Sequence, residues 1–424
     1  MSWRSSGHSD ICDSVIVNKV TVLGNKDHGK STLIGSLLIE TGSVSEQRID
    51  DAKRTSKKLG RRFEPGYILD SFEEERLNEM TIDTTRAQVK YKRTGFEFID
   101  VPGHEELIKN MLSGASYADF ALLLVSAKQG EGITSQTKRH LFVAKMLGIR
   151  KLVVAVNKLD AVGYRQEVFE DVSEGIGRYL ASIGFPGENV RFVPISAYNG
   201  ENLVRPSEKM KWYRGRCLIE VLEGMARPSA HVVGKSLLIQ VQGVSEDSRK
   251  TVFGKVVSGL LARGTIITMF PSKKRATVIG LFVSGRSRKT AERGDVVTLE
   301  LDSPVAPNIK GSVASDSDAA CISSDKINAL LLNTTGFSKD ASIRINGVQV
   351  KCRNVSVKDE IDVSTGECVP SERIRPLNAG HVELLLERKV AADLFERTPE
   401  IGRFVFYSGK EFSGIGIVTG GGNG

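Results

Sequence analysis

The sequence lacks most of the features that mark special environments. No apolar run approaches the roughly 18 residues that a membrane-spanning helix needs, so no helical span is expected. The opening stretch MSWRSSGHSD is short and polar and has no apolar segment of the secretory kind. Residues 1–14 are therefore expected to form a loose tail, and the chain to be cytoplasmic and free of membrane. Cysteine is scarce and badly placed for bridging. Cys12, Cys217, Cys321, Cys352 and Cys368 are odd in number, scattered and without a CxxC pair, which argues against a disulfide framework and against a zinc site.

What is present is globular. Apolar residues make up 40% of the chain and charged residues 26%, and 424 residues exceed one ordinary core, so two or three domains are expected. A net charge of +8 permits attraction to phosphate polymers without showing it.

From Val15 to about Leu222, short β-branched runs (VIVNKVTVLG, FEFIDV, FALLLVSA, KLVVAVNK, RFVPISA) alternate with longer amphipathic stretches such as STLIGSLLIE. That alternation predicts an α/β domain over residues 15–225, a mostly parallel sheet with helices on both faces. The segment GMARPSAHVVGK, Gly224 to Lys235, has the composition of a linker. Beyond it only short runs recur between turn residues, such as TVFGKVVSG, DVVTLELD, HVELLLER and GRFVFYSG. Two all-β domains of barrel or sandwich type are expected, at 232–306 and 309–420.

The α/β part carries an ordered set of short motifs. Gly24-Asn25-Lys26-Asp27-His28-Gly29-Lys30-Ser31 fits GxxxxGK[ST], between the apolar run VTVLG and the helix-like STLIGSLL. Its glycines let backbone N–H groups close around phosphate oxygens, Lys30 reaches the β and γ phosphates, and the Ser31 hydroxyl is a Mg²⁺ ligand. Asp100 in DVPGH follows FEFI, at a strand's C-terminal end, where a carboxylate can hold Mg²⁺ through water. Asn157-Lys158-Leu159-Asp160 follows KLVVAV in the same way, and Asp160 can accept from the guanine N1–H and N2–H₂ that adenine does not offer. Ser196-Ala197 follows RFVPI and offers a backbone N–H to the guanine carbonyl. The expected ligands are thus GTP or GDP with Mg²⁺, contacted by residues 24–31 with Thr32, by Gly103, Asn157, Lys158 and Asp160, and by Ser196 and Ala197.

These stations, the stretch LDSFEEERLNEMTID and the run QTKRHLFVAKMLGIRKLVVAVNKLDAVGY together resemble the translational GTPases. The branch is that of elongation factors Tu and 1-alpha, which also holds rescue and release-factor GTPases and the GTPase subunit of sulfate adenylyltransferase. The likeness is close over residues 15–225 and looser beyond, where FGKVVSG and ERGDVVTLEL look like the family's second domain, and NAGHVELLLE with IGRFVFYSG like its third; it implies that both are barrels. It also implies that Thr81 ligates Mg²⁺ and senses the γ-phosphate. His104 would orient the hydrolytic water, and Lys158 would pack over the nucleoside, with His104 and Lys30 as the catalytic pair.

Two departures stand out. Lys26 replaces an apolar residue of the family's loop (GHVDHGK or GSVDDGK), and LNEMTI replaces RGITI before Thr81, leaving Met80 as one wall of the gate at His104. Lys26 either adds a cation near the γ-phosphate, paired with Glu79, or points to solvent. The basic residues Lys53, Arg54, Lys57, Lys58, Arg61 and Arg62 form either a solvated face or a surface for RNA phosphates. The resemblance leaves several roles open. A factor that binds aminoacyl-tRNA or a related ligand and docks on the ribosome is favoured by His28. A regulatory subunit beside a catalytic sulfate adenylyltransferase chain is favoured by QGEGITSQTKRH and VGYRQEVFEDV, whereas EEER and KWYRGRCLIEVLE allow a rescue or termination GTPase. The altered gate also allows a GTP-binding adaptor with little hydrolysis.

Overall fold

The computed structural model describes residues 17–58, 60, 62–69, 85–100, 120–185, 187–226, 236–318, 320–336 and 340–421. It divides into two compact units, one of residues 1–137, 149–181 and 186–227, the other of residues 138–148, 182–185 and 228–424.

The α/β part is organised by a sheet of β1 (Val17–Leu23), β2 (Thr85–Tyr91), β3 (Thr94–Asp100), β4 (Phe120–Ser126), β5 (Leu152–Asn157) and β6 (Val190–Pro194). The strand order is β2-β3-β1-β4-β5-β6, parallel throughout except for the β2–β3 pair. Its helices are α1 (Lys30–Glu40), α2 (Glu46–Lys58), α3 (Ser135–Met146), α4 (Gln166–Ser182) and α5 (Leu218–Ala226). Every residue of β4 and β5 is buried, which is why both read as unbroken apolar runs. On one face, Leu33, Ile34, Leu37 and Leu38 of α1 and Leu218, Ile219 and Leu222 of α5 pack with Val20, Val22, Phe96, Phe98, Leu122 and Val153. Val156 turns the other way, toward Val168, Phe169 and Val172 of α4. Gly224 to Ala226, expected to open a linker, instead complete the last turn of α5.

The second unit contains two closed barrels. The first is built from β7 (Leu238–Val244), β8 (Thr251–Ser258), β9 (Leu260–Ala262), β10 (Ile266–Phe270), β11 (Lys274–Val283), β12 (Arg286–Ser287), β13 (Thr290–Glu292), β14 (Val296–Leu301) and β15 (Val313–Ser315). The order β10-β15-β7-β8-β14-β11 closes through β10–β11, while β12 extends β11 and β9 pairs with β13. Alternation is plain in β14, where Val297, Leu299 and Leu301 are buried and Val296 and Glu300 are exposed. β15 pairs with both β7 and β10, and Ile309 and Ala314 pack in this barrel's core. The first barrel therefore extends past the break expected at 306–309. Three residues are too few to display a period of two.

The second barrel comprises β16 (Ile322–Asn333), β17 (Ala341–Ile345), β18 (Val348–Val357), β19 (Asp359–Ile361), β20 (Cys368–Pro370), β21 (Ala379–Ala392), β22 (Arg403–Ser408) and β23 (Glu411–Gly421). The order β16-β23-β22-β17-β18-β21 closes through β16–β21, and β19 and β20 continue from β21 outside the ring. Phe406 is fully buried at its centre among Ile343, Leu384 and Val418. Phe406→Ala is expected to lower stability by about 3–5 kcal/mol in denaturant unfolding, from lost burial plus the cavity left behind.

Candidate nucleotide-binding site

The loop from β1 to α1 holds Gly24 at φ +143 and Gly29 at φ +89, conformations open to glycine and strained for other residues. Space excludes side chains there as well. A Cβ on Gly24 would stand 2.7 Å from the Leu124 carbonyl oxygen, and one on Gly29 would stand 2.6 Å from Asn157 Nδ2. Gly29 is also the N-cap of α1 and brings no side-chain acceptor, so no capping side chain competes for the helix's first N–H groups. Lys30 folds back across its own loop, donating to the carbonyls of Gly24 (2.9 Å) and Asn25 (3.1 Å).

His28 is buried and anchors the loop from beneath. Its Nδ1 lies 2.9 Å from the Leu124 carbonyl oxygen and its Nε2 2.8 Å from that of Glu131. Carbonyl oxygens only accept, so a ring with one N–H satisfies one of them and a ring with two satisfies both. Asn25 Nδ2 donates to Thr134 Oγ1 at 2.8 Å, while its buried Oδ1 has no hydrogen-bond partner among the described residues.

The strand ends of β5 and β6 meet this loop through one side chain. Buried Asn157 donates from Nδ2 to the His28 carbonyl (2.8 Å) and accepts at Oδ1 from the Ala197 N–H (2.9 Å). Ser196 Oγ donates to Asp160 Oδ1 at 2.5 Å, which fixes one oxygen of the expected guanine-reading carboxylate. Ser36 Oγ of α1 donates to the Ala197 carbonyl at 2.6 Å. Lys158 has a left-handed backbone, φ +62, and its Nζ donates to Glu131 Oε2 at 2.7 Å. Glu131 also accepts from Ser126 Oγ (2.9 Å) and pairs with Lys128 (3.0 Å). Lys158, with Lys128 and Ser126, holds the Glu131 carboxyl down to about 2.

The structure thus brings together residues 24–32, Asn157, Lys158, Asp160, Ser196 and Ala197. Thr81, Gly103 and His104 lie outside the described residues, as do Glu79, Met80 and Arg61. The backbone of Asp100 ends β3, in register with Val22, two residues before Gly24. Lys26 and Asp27 are exposed. In α2, exposed Lys53 and Arg54 pair with Asp50 (4.0 Å) and Asp51 (3.9 Å), and the Arg62 guanidinium sits 5.3 Å from the Tyr198 ring centre, beside Ala197. Glu131, Ser126, Thr134 and Ser36 escape sequence reading because no short motif contains them. The one available signal is that β4 ends at Ser126 beside β5, so the residues after FALLLVS had to reach the site. Among the described residues no helix is long and apolar enough to cross a membrane.

Comparison with known proteins identifies relatives along most of the chain. Residues 16–243 match the elongation factor Tu GTP binding domain, and residues 336–419 match the GTP-eEF1A C-terminal domain-like family. Elongation factor 1-alpha of Aeropyrum pernix is 33% identical over 421 residues, covering 94% of this chain and 95% of its own length. That of Sulfurisphaera tokodaii is 33% identical over 415 residues with the same coverage. Among solved structures, sup35 complexed with GDP aligns over 96% of this chain and 94% of that one, at 21% identity and a TM-score of 0.41.

Two outcomes are expected. Asn157→Ala leaves the His28 carbonyl and the Ala197 N–H buried without their partner, and should cost about 1–3 kcal/mol in urea unfolding followed in the α/β part. The Glu131 carboxyl is depressed from its usual 4.5, so its ion pairs stabilise the fold above that pH and are lost as pH falls from 4.5 toward 2. Glu131→Gln should flatten the stability profile in that window, measured by unfolding at stepped pH.

Proposed function

Because the chain belongs to the elongation factor Tu and elongation factor 1-alpha family of translational GTPases, we propose that it binds GTP and GDP with Mg²⁺ and hydrolyses GTP to switch a ribosome-docking state. The observation that carries the reading is the Asn157 bridge. It joins the phosphate loop to the Ser196-Ala197 turn and sets Asp160, held by Ser196, beside them. This is the arrangement a guanine nucleotide needs, with phosphates at one end and a carboxylate for the base at the other. We read residues 15–225 as the domain that performs it, and the barrels as carriers of a tRNA or tRNA-like ligand.

The donor set fits Mg²⁺. Ser31 lies in the first turn of α1 and carries a hydroxyl, and the backbone of Asp100 ends β3 in register with the strand that feeds the loop, so the residue types at these positions are the hard oxygen donors Mg²⁺ takes. Ser31, Asp100 and Thr81 would hold the ion, which when bound neutralises charge on the β- and γ-phosphates. The chain's own groups supply the rest. Loop N–H groups and Lys30 fix the phosphates, Asn157 and Lys158 shape the nucleoside pocket, and His104 orients the attacking water. Relatives named elongation factor 1-alpha over nearly the whole chain favour this role over the sulfate-activating subunit, the termination factor and the non-hydrolysing adaptor.

The test is multiple-turnover GTP hydrolysis by the full chain, with and without ribosomes, at fixed salt and Mg²⁺. Ribosomes are expected to accelerate turnover by about 10³-fold or more. His104→Ala should cut the stimulated rate by about 10²-fold while GTP affinity holds. Intact GTP binding with no ribosomal stimulation would refute the translational role.

A further inference from the structure

In the second barrel, three side chains with unlike donor atoms meet where the short strands β19 and β20 continue from the ring strand β21. Asp359 stands on β19, Cys368 on β20 and His381 on β21, and an oxygen, the sulfur and a ring nitrogen all lie within 4.8 Å of one another. Pairing explains the meeting. Ile361 is opposite Cys368 on β20 and Ala379 on β21, so the antiparallel register continues to set Asp359 opposite His381. Alternate residues of a strand share a face, which turns the three side chains to one side.

The framework around them is tied down. His381 donates its backbone N–H to Asp359 Oδ1 at 2.9 Å, and its Nδ1 lies 3.0 Å from each carboxylate oxygen. The turn from β19 to β20 is held by Asp362 Oδ1, which accepts from the Ser364 N–H (2.8 Å) and hydroxyl (2.6 Å) and the Thr365 N–H (3.2 Å). The turn into β21 is held by buried Glu360, which accepts from the Arg375 N–H (2.7 Å), Arg375 Nε (3.0 Å) and Asn378 Nδ2 (3.0 Å).

We propose that Asp359, Cys368 and His381 form a three-ligand site for a borderline divalent cation of the Zn²⁺ type, separate from the oxygen-ligated Mg²⁺ position. A thiolate, an imidazole and a carboxylate make a mixed S, N, O set that Zn²⁺ takes at about 2.0–2.3 Å per bond and that Mg²⁺ and Ca²⁺ do not select. The His381 side chain is 45% exposed and Cys368 is exposed, so the fourth position opens to solvent and accepts water or a ligand atom from another molecule.

The full-length protein, loaded with GDP, is titrated with Co²⁺ and then with Zn²⁺. One equivalent of Co²⁺ should give the strong visible bands of a four-coordinate ion and a thiolate-to-metal band in the near ultraviolet, both displaced by Zn²⁺. Cys368→Ser should abolish the thiolate band, and Cys368→Ser and His381→Ala should each weaken Zn²⁺ binding at least about 10-fold, a loss that even outer partners of a metal produce. Thermal unfolding of the metal-free variants, followed by near-ultraviolet and far-ultraviolet circular dichroism, should match that of the wild type, which shows that the second barrel still folds. A wild-type titration without a thiolate band, a band that persists in Cys368→Ser, or Zn²⁺ affinity indifferent to both substitutions would overturn the assignment.

Discussion

One primary amide holds the nucleotide site together. Asn157 spans 129 residues of sequence to His28 and 40 to Ala197, donating to the first and accepting from the second within hydrogen-bond distance of both. An amide side chain donates and accepts at once from its one end. An aspartate would present its carboxylate to the His28 carbonyl, two acceptors facing each other in a buried place. Other constraints follow from this one. Gly29 must lack a side chain because Asn157 Nδ2 fills the space its Cβ would take, and Ser36 reaches the Ala197 carbonyl only while α1 keeps its place. The loop from β1 to α1, the loop after β6 and α1 itself thus share one fixed point.

Glu131 is a second junction, built from charge. Its backbone carbonyl faces the His28 ring while its carboxylate gathers Lys158, Lys128 and Ser126. Lys158 belongs to the Asn-Lys-x-Asp motif, so the loop after β4 braces both the loop from β1 to α1 and the lysine two residues before Asp160. The carboxylate stays ionised far below neutrality, so this brace is constant across the physiological range and gives the site a fixed field.

Much of this was legible in the sequence because each motif sits directly after an apolar strand, and a parallel sheet collects its strand ends along one edge. Residues 24–31, Asn157 to Asp160 and Ser196-Ala197 each stand at or after the end of such a strand. Glu131 was not legible in this way, since its role depends on where β4 ends relative to β5 and on a lysine 27 residues later. β15 was missed because its partners, β7 and β10, lie far back in the chain and three residues show no period. The Asp359, Cys368 and His381 cluster was invisible for a related reason. Zinc sites are recognised in sequence by close pairs of ligands, whereas here each ligand stands on its own strand and register alone brings them together.

Each barrel closes on itself, the first through β10 and β11 and the second through β16 and β21. Closure leaves the ring strands with hydrogen-bond neighbours on both sides. The edge strands that remain among the described residues are slight, two residues in β12 and three each in β9, β13 and β20, the last carrying Pro370. Among the described residues, the rows of backbone groups open to a visiting polypeptide are therefore short, as at 352–357 of β18, which pair with β21 alone. Docking on these barrels then rests chiefly on outward-facing side chains and loops, so its choice can be altered by single substitutions while the scaffold stays the same.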